Sequence, residues 1–235
     1  IRAFQEGSAE NPHKRNAGPS QAAAPEPAGL NTVRADRVIV AAGGAAAPAH
    51  GTDGSGYGLR TALGHRLTLV RPALCALLTD KRRIAGLSGQ RVRAGIRLVS
   101  PDGGVPRAAE GEILFGTDAV SGIAAMQLAR FYEPGMAVAL DLRPSLCLTD
   151  ARGNELSAPP ADAVAALFRS FAAMRRDRPL AELLTGVFSV PVSKLMLREA
   201  GFRDLSMPAA RFGAGKARRL AETAADLRLP VTGTR

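Results

Sequence analysis

The sequence predicts an α+β protein: a β-rich, barrel- or sandwich-like part over residues 67–150 and a small all-helical part over residues 158–229. Three observations carry this. In the first part Val92, Ala94, Ile96 and Leu98 alternate with Arg91, Arg93, Gly95 and Arg97, and one apolar face at a period of two is a half-buried strand. Pro159-Pro160 then marks a boundary. Beyond it, apolar residues recur at three- and four-residue spacing, the stripe of an amphipathic helix.

The elements follow in order. Within a first segment, 1–66, residues 5–31 hold Gly, Ser, Pro, Asn, Gln and Ala with almost no large apolar side chain, which reads as a flexible insert. Residues 36 to 44, Asp-Arg-Val-Ile-Val-Ala-Ala-Gly-Gly, read as a buried strand running into a glycine turn, because three consecutive β-branched residues favour a strand. Glycines at 51, 54, 56 and 58 precede a short helix over about 57 to 63, ended by Gly64. Ser100-Pro-Asp-Gly-Gly104 is turn chemistry, so residues 107 to 115 return as the partner of the 91 to 98 strand. A helix over 121 to 132, capped by Ser121-Gly122, and a strand over 136 to 142 complete this part. In the helical part, four short helices are expected. Their apolar stripes are Val164 to Met174, Leu180 to Val187, Val192 to Met196 with Gly201 as C-cap, and Leu220 to Leu227.

The chain has 235 residues, 46% hydrophobic and 22% charged, which supplies a core and excludes a wholly disordered chain. No run approaches the ~18 apolar residues of a membrane span, so no membrane association is expected and the cytoplasm is the expected location. Cys75 and Cys147 are too few for a disulfide framework or a four-ligand zinc site. Both lie beside Leu in apolar runs and are expected to be buried, inert thiols.

The net charge of +10 has two readings. One is a polyanionic partner. The other is GC-rich coding, which raises Ala (44), Arg (27, against 4 Lys), Gly (25) and Pro (16) together. The basic residues form two clusters: Lys81, Arg82 and Arg83 with Arg91, Arg93 and Arg97, and Arg211, Lys216, Arg218 and Arg219. A basic last helix gives an alternative function, a nucleic-acid-binding module. Seven acidic residues among the twelve basic ones over 158–229, with no interleaved aromatics, favour a solvated arginine face instead.

Chemistry-bearing motifs are few. His13, His50 and His65 form no pair at ligand spacing and no Cys-x-x-Cys occurs, so no metal site is expected. No Gly-x-Ser-x-Gly elbow is present and no catalytic residue is identified. The informative stretch is 43 to 58, where glycines at a strand-to-helix turn offer close backbone approach and N–H groups to an anion. It lacks a P-loop lysine and the strict Gly-x-Gly-x-x-Gly spacing.

Three matches in order, over roughly residues 33 to 235, resemble a family of bacterial FAD-dependent oxidoreductases, aminoacetone-oxidase-like or bile-acid enone reductase-like. The first is Val38-Ile-Val-Ala-Ala-Gly-Gly44 with His50-Gly-Thr-Asp-Gly-Ser-Gly-Tyr57 and Leu63-Gly-His65. The second is Gly111-Glu-Ile-Leu-Phe115 with Val120-Ser-Gly122. The third is Pro230-Val-Thr-Gly-Thr-Arg235. Ala42 stands where the family has Thr, Gly116-Thr117 where it has Thr-His, and Ile123 where it has Pro.

The resemblance implies FAD as cofactor and NAD(P)H as co-substrate, with a small carbonyl or enone compound, or oxygen, as acceptor. It implies cofactor-binding roles for Gly43, Gly44, Gly51, Thr52, Asp53 and Gly54. The family's pyrophosphate-gripping Gly-x-Gly-x-x-Gly segment is absent. The chain is therefore expected to be the substrate-side insert region of a longer flavoenzyme, inactive by itself. Residues 1–66 would be a remnant of a Rossmann-like FAD domain, and residues 230–235 a strand returning to it. The partners implied are that flavin domain and a small-molecule substrate.

Overall fold

A computed structural model of the chain describes residues 33–105 and 107–235, and the insert expected at 5–31 lies outside them. The chain divides into two compact units, with the boundary after Val70.

The larger unit is built on a closed barrel. Its strands are β1 (Leu77–Thr79), β2 (Arg91–Val99), β3 (Arg107–Phe115), β4 (Ala119–Ser121), β5 (Ala137–Asp141) and β6 (Leu227–Thr234). They are hydrogen-bonded in the order β1-β4-β3-β2-β5-β6, and β6 pairs back onto β1, every pair antiparallel. The period-two strand is there: Val92, Ala94, Ile96 and Leu98 are buried while Arg91 and Arg93 face out. Register carries that face around the barrel, because residues directly opposite each other share a side. Leu98 faces Val138, which faces Leu229; Ile96 faces Leu140, which faces Leu227; Val92 faces Ile113. These layers fill the interior, as small barrels require.

Turn chemistry sets the β2–β3 hairpin. Gly103 donates its N–H to Ser100, and the Asp102 carboxylate accepts the Gly104 N–H at 3.0 Å. Pro230 lies within β6, where it can donate nothing to the ladder. The β1–β6 register slips by a residue at Leu78/Thr79, beside it. The buried Thr79 hydroxyl donates to the Pro230 carbonyl at 2.7 Å, so the irregularity leaves no orphan there.

Helix α1 (Ser55–Ala62) belongs to the smaller unit, and helix α2 (Ile123–Leu128), which continues as a 3₁₀ turn to Phe131, follows β4. The expected Ser121 cap is not formed. Gly122 is the N-cap, at φ 96, and no side chain caps the helix. A Cβ on Gly122 would overlap the Glu112 carbonyl, so glycine is required for the chain to cross β3.

The helical part holds α3 (Ala161–Met174), α4 (Val190–Glu199) and α5 (Ala214–Ala225). Three helices stand where four were expected: Leu180–Glu182 forms only a 3₁₀ turn. Between Pro179 and Gly186 (φ 100) there is too little chain to repay helix nucleation. Helix α4 ends in a Schellman motif, with Gly201 at φ 86 and N–H bonds from Phe202 to Leu197 and from Gly201 to Arg198. Val164 and Phe168 of α3, Leu195 and Met196 of α4, and Leu220 and Ala224 of α5 are buried. They join the barrel interior in one apolar cluster. Arg143 holds the junction: it forks onto Asp141 at 2.9 and 2.6 Å and donates to the Pro159 carbonyl at 3.0 Å.

Three further expectations differ from the structure. Residues 36 to 44 form no strand, and Val38 and Ile39 are 67% and 90% exposed, because no described segment pairs with them. Cys75 is half-buried and Cys147 exposed, both free. The segment from Pro230 onward, expected as a strand to a flavin domain, lies in β6 and pairs within the barrel. Among the described residues, no helix is long and apolar enough to cross a membrane.

Two substitutions test this packing. Gly122→Ala is expected to cost about 3 kcal/mol, from left-handed strain plus overlap with backbone. Ser193 is buried on α4 with its hydroxyl unpartnered, so Ser193→Ala is expected to leave stability within about 1 kcal/mol or raise it. Urea titrations of both variants measure this.

Candidate functional site

The glycine-rich stretch folds as a self-contained turn ahead of α1. It opens with Gly43 at φ 75 and Gly44. Pro48–His50 makes one 3₁₀ turn, closed by Gly51 at φ 83. Ala47 and Thr52 then pair across the loop: the Thr52 N–H donates to the Ala47 carbonyl at 3.2 Å, and the Ala47 N–H donates to Thr52 Oγ1 at 2.9 Å. Gly54, at φ 84, is the N-cap of α1, and its N–H returns to the Gly44 carbonyl at 2.9 Å. All six residues singled out in the sequence therefore sit in one loop, and Gly44 and Gly54 are bonded directly.

The structure separates the reasons for glycine. A Cβ at Gly43 would lie 2.9 Å from Thr52 Cγ2, and one at Gly44 would lie 2.8 Å from the Tyr57 hydroxyl oxygen. At Gly43 the close neighbour is Thr52 of the same loop, and at Gly44 it is the hydroxyl end of Tyr57 on α1. A Cβ at Gly51 would meet nothing within 4 Å, so glycine there answers only to its left-handed backbone. The loop is exposed at Gly43, Gly51 and Asp53, and half-buried at Gly44, Thr52 and Gly54.

Asp53 bonds its own neighbourhood. Its Oδ1 accepts the Ser55 N–H at 2.9 Å, which satisfies one of the orphan donors at the helix start. That backbone bond, with a further one from the Ser55 side chain, holds the Asp53 carboxyl below its usual 3.8. A negative charge is thus fixed at the positive end of α1.

At the other end, α1 closes with a Schellman motif at Gly64, φ 85, with bonds from His65 N–H to the Arg60 carbonyl and from Gly64 N–H to Thr61. The reversal brings Arg60, His65 and Arg66 around one cleft of about 530 Å³ with Val38, Val40 and Leu63. Sequence reading treated His65 only as part of a Gly-His ending. The available signal was the Gly64 C-cap, which folds His65 back over Arg60. None of the apolar side chains described in this unit is buried, and Val38, Ile39, Leu63 and Leu69 are each more than two-thirds exposed. Among the described residues, no group of three or more His, Cys, Asp or Glu side chains could hold a metal ion.

Asp53 gives a test of sign. Its folded-state titration lies below the unfolded value, so its capping contribution is present above about pH 4 and fades as pH falls through the folded value. Protection of the Ser55 and Tyr57 amides, taken as exchange relative to the intrinsic rate at the same pH, is expected to fall on acidification toward pH about 3 in the unsubstituted chain, and to be insensitive to that change in Asp53→Ala.

No family model matches the chain. The chain is similar to the 3-dehydro-bile acid delta(4,6)-reductase of Clostridium scindens, with 34% identity over 130 residues. The match covers 50% of this chain and 30% of the reductase, so it spans less than a third of that relative's length. The likeness is to a reductase over half of the chain, and it supports an oxidoreductase family and nothing finer.

Proposed function

We propose that this chain is the substrate-side part of a longer FAD-dependent oxidoreductase, passing hydride between NAD(P)H, the flavin and a small carbonyl or enone compound, or oxygen. The observation that carries the reading is the 34% identity with a reductase. Two structural features support it: the glycine loop, and the uncovered apolar side chains of the smaller unit, which suit a surface buried against a flavin domain.

A flavin dinucleotide presents two kinds of surface, an anionic pyrophosphate and a neutral, hydrogen-bonding ribityl chain and ring. The loop fits the second. Asp53 already fills the α1 N-terminus with a carboxylate, which would repel a phosphate there. An exposed carboxylate accepts hydrogen bonds from hydroxyl or ring N–H groups. Gly43 and Gly51 add uncovered backbone at which a flat or slender group can approach closely. The pyrophosphate would then be held elsewhere in the longer protein, and the 235-residue chain alone is expected to bind FAD poorly.

The flavin, when bound, supplies the hydride chemistry. The chain's share is to orient it through Gly43, Gly44, Gly51, Thr52, Asp53 and Gly54. No acid or base need come from this chain for that step.

The full-length protein, purified without added cofactor, is expected to show the two-banded spectrum of oxidised flavin, bleached by NADH or NADPH. A colourless protein that also fails to take up FAD would sink the reading. In that full-length protein, Asp53→Ala is expected to weaken FAD by roughly tenfold, the loss of one charge-assisted hydrogen bond, measured by flavin fluorescence on dilution.

A further inference from the structure

The cleft of about 530 Å³ in the smaller unit lies where the chain turns back past the C-terminal end of α1. Val38, Val40 and Leu63 give it an apolar side, and Arg60, His65 and Arg66 give it a basic one. The volume lies within the roughly 300–1,000 Å³ usual for small-molecule sites.

Charge and local geometry both favour an anion. Among the described residues, no aspartate or glutamate lines the cleft, and no carboxylate pairs with Arg60, His65 or Arg66. The Arg60 guanidinium lies over the Tyr57 ring, 5.9 Å from its centroid, so it meets an aromatic face in place of a counter-ion. The His65 N–H donates to the Arg60 carbonyl at 3.1 Å, which fixes the reversal and keeps the three basic residues at one end of the helix. Like charges gathered in a concave, partly apolar wall raise the local potential and draw anions. The C-terminal end of α1 opposes this with roughly half an elementary charge. Two guanidiniums carry two full charges of the other sign. The last carbonyls of the helix are also occupied, because Leu63, Gly64 and His65 donate N–H bonds to Leu59, Thr61 and Arg60. The balance at the cleft is therefore positive.

We infer that this cleft binds an organic phosphate monoester with a flat or apolar body. The monoester is a dianion, and two guanidiniums match it, each with forked N–H donors. A carboxylate or a phosphodiester carries a single charge and would leave one cation unmatched. The His65 imidazole adds a further donor. The organic body lies against Val38, Val40 and Leu63, and covers side chains of which Val38 and Leu63 are otherwise exposed. The site stands at the opposite end of α1 from the glycine loop, about 12 Å away for eight residues of helix. FAD holds its phosphates as diesters, so the site is separate from the flavin reading.

The test is a fluorescence titration of the 235-residue chain with naphthyl phosphate at about pH 8, where the monoester is fully charged. Naphthol is the uncharged control. The phosphate is expected to bind saturably and to be displaced by inorganic phosphate. Arg60→Gln and Arg66→Gln are each expected to weaken it by roughly tenfold and to change naphthol by less than about twofold. Leu63→Ser, which removes part of the apolar wall, should weaken both probes. Arg66 and Leu63 are exposed and Arg60 is half-buried, so the variants should fold, which circular dichroism checks. Unchanged phosphate affinity in Arg66→Gln overturns the inference. Equal loss of both probes in an arginine variant also overturns it, by marking a non-specific apolar surface. Flavin takes no part in this readout, so its failure leaves the reductase reading untouched.

Discussion

Closure of the barrel by β6 is the constraint on which the larger unit depends. β6 is the last strand in the chain, yet it stands between β1 and β5. Without it the sheet has two open edges and the inward faces of Leu77, Val138 and Leu140 lose their neighbours. Leu227, Leu229 and Val231 bring apolar surface whose burial contributes roughly 1.5–3 kcal/mol per side chain. Because α5 runs directly into β6, the helical part cannot dock independently of closure. The Leu142 N–H bonded to the Ala224 carbonyl, and Arg97 paired to Asp226, stitch that junction to β5 and β2. These pairings join residues 82 to 157 positions apart in the sequence, from Leu142 with Ala224 to Leu77 with Thr234, so the topology is non-local and its contacts form only after long loops close.

How far the fold was legible follows from the range of each signal. The β2–β3 hairpin was readable because its alternation runs for eight residues, Arg91 to Leu98, and its turn carries Asp102, Gly103 and Gly104 in the positions a turn needs. Strands β1 and β4, at three residues each, are too short to show a period. The Leu180, Leu183, Leu184 and Val187 stripe had helical spacing and buried its leucines as predicted, but the segment is a turn. Spacing reports which residues face the core, and length decides whether a helix can form. The run Val38-Ile-Val40 shows the reverse limit: β-branched residues favour extended backbone, but a strand exists only where another strand meets it.

The glycine loop was legible as a place and not as a mechanism. The sequence could not distinguish glycines kept open for a ligand from glycines required by their own neighbours. Here Gly43 and Gly44 answer to Thr52 and Tyr57, whereas Gly51 faces open space. Nor could composition show that Asp53 would occupy the helix N-terminus, which shifts the reading from phosphate toward a neutral part of the dinucleotide.

The arginine excess acquires meaning only when the pairs are known. The first basic cluster becomes a ladder on the outer barrel wall. Arg91 pairs with Glu112, Arg93 with Glu110 and Glu155, and Arg97 with Asp226. In the second, Arg218 faces both Asp162 and Glu222. Such exposed pairs are worth about 0–1 kcal/mol each, so their effect is less on stability than on the field, because each carboxylate cancels the reach of its partner. Field strength therefore collects where a guanidinium meets a ring in place of an acid. Arg130, stacked on Phe131, is such a position. A net charge spread over paired side chains attracts polyanions weakly along its length.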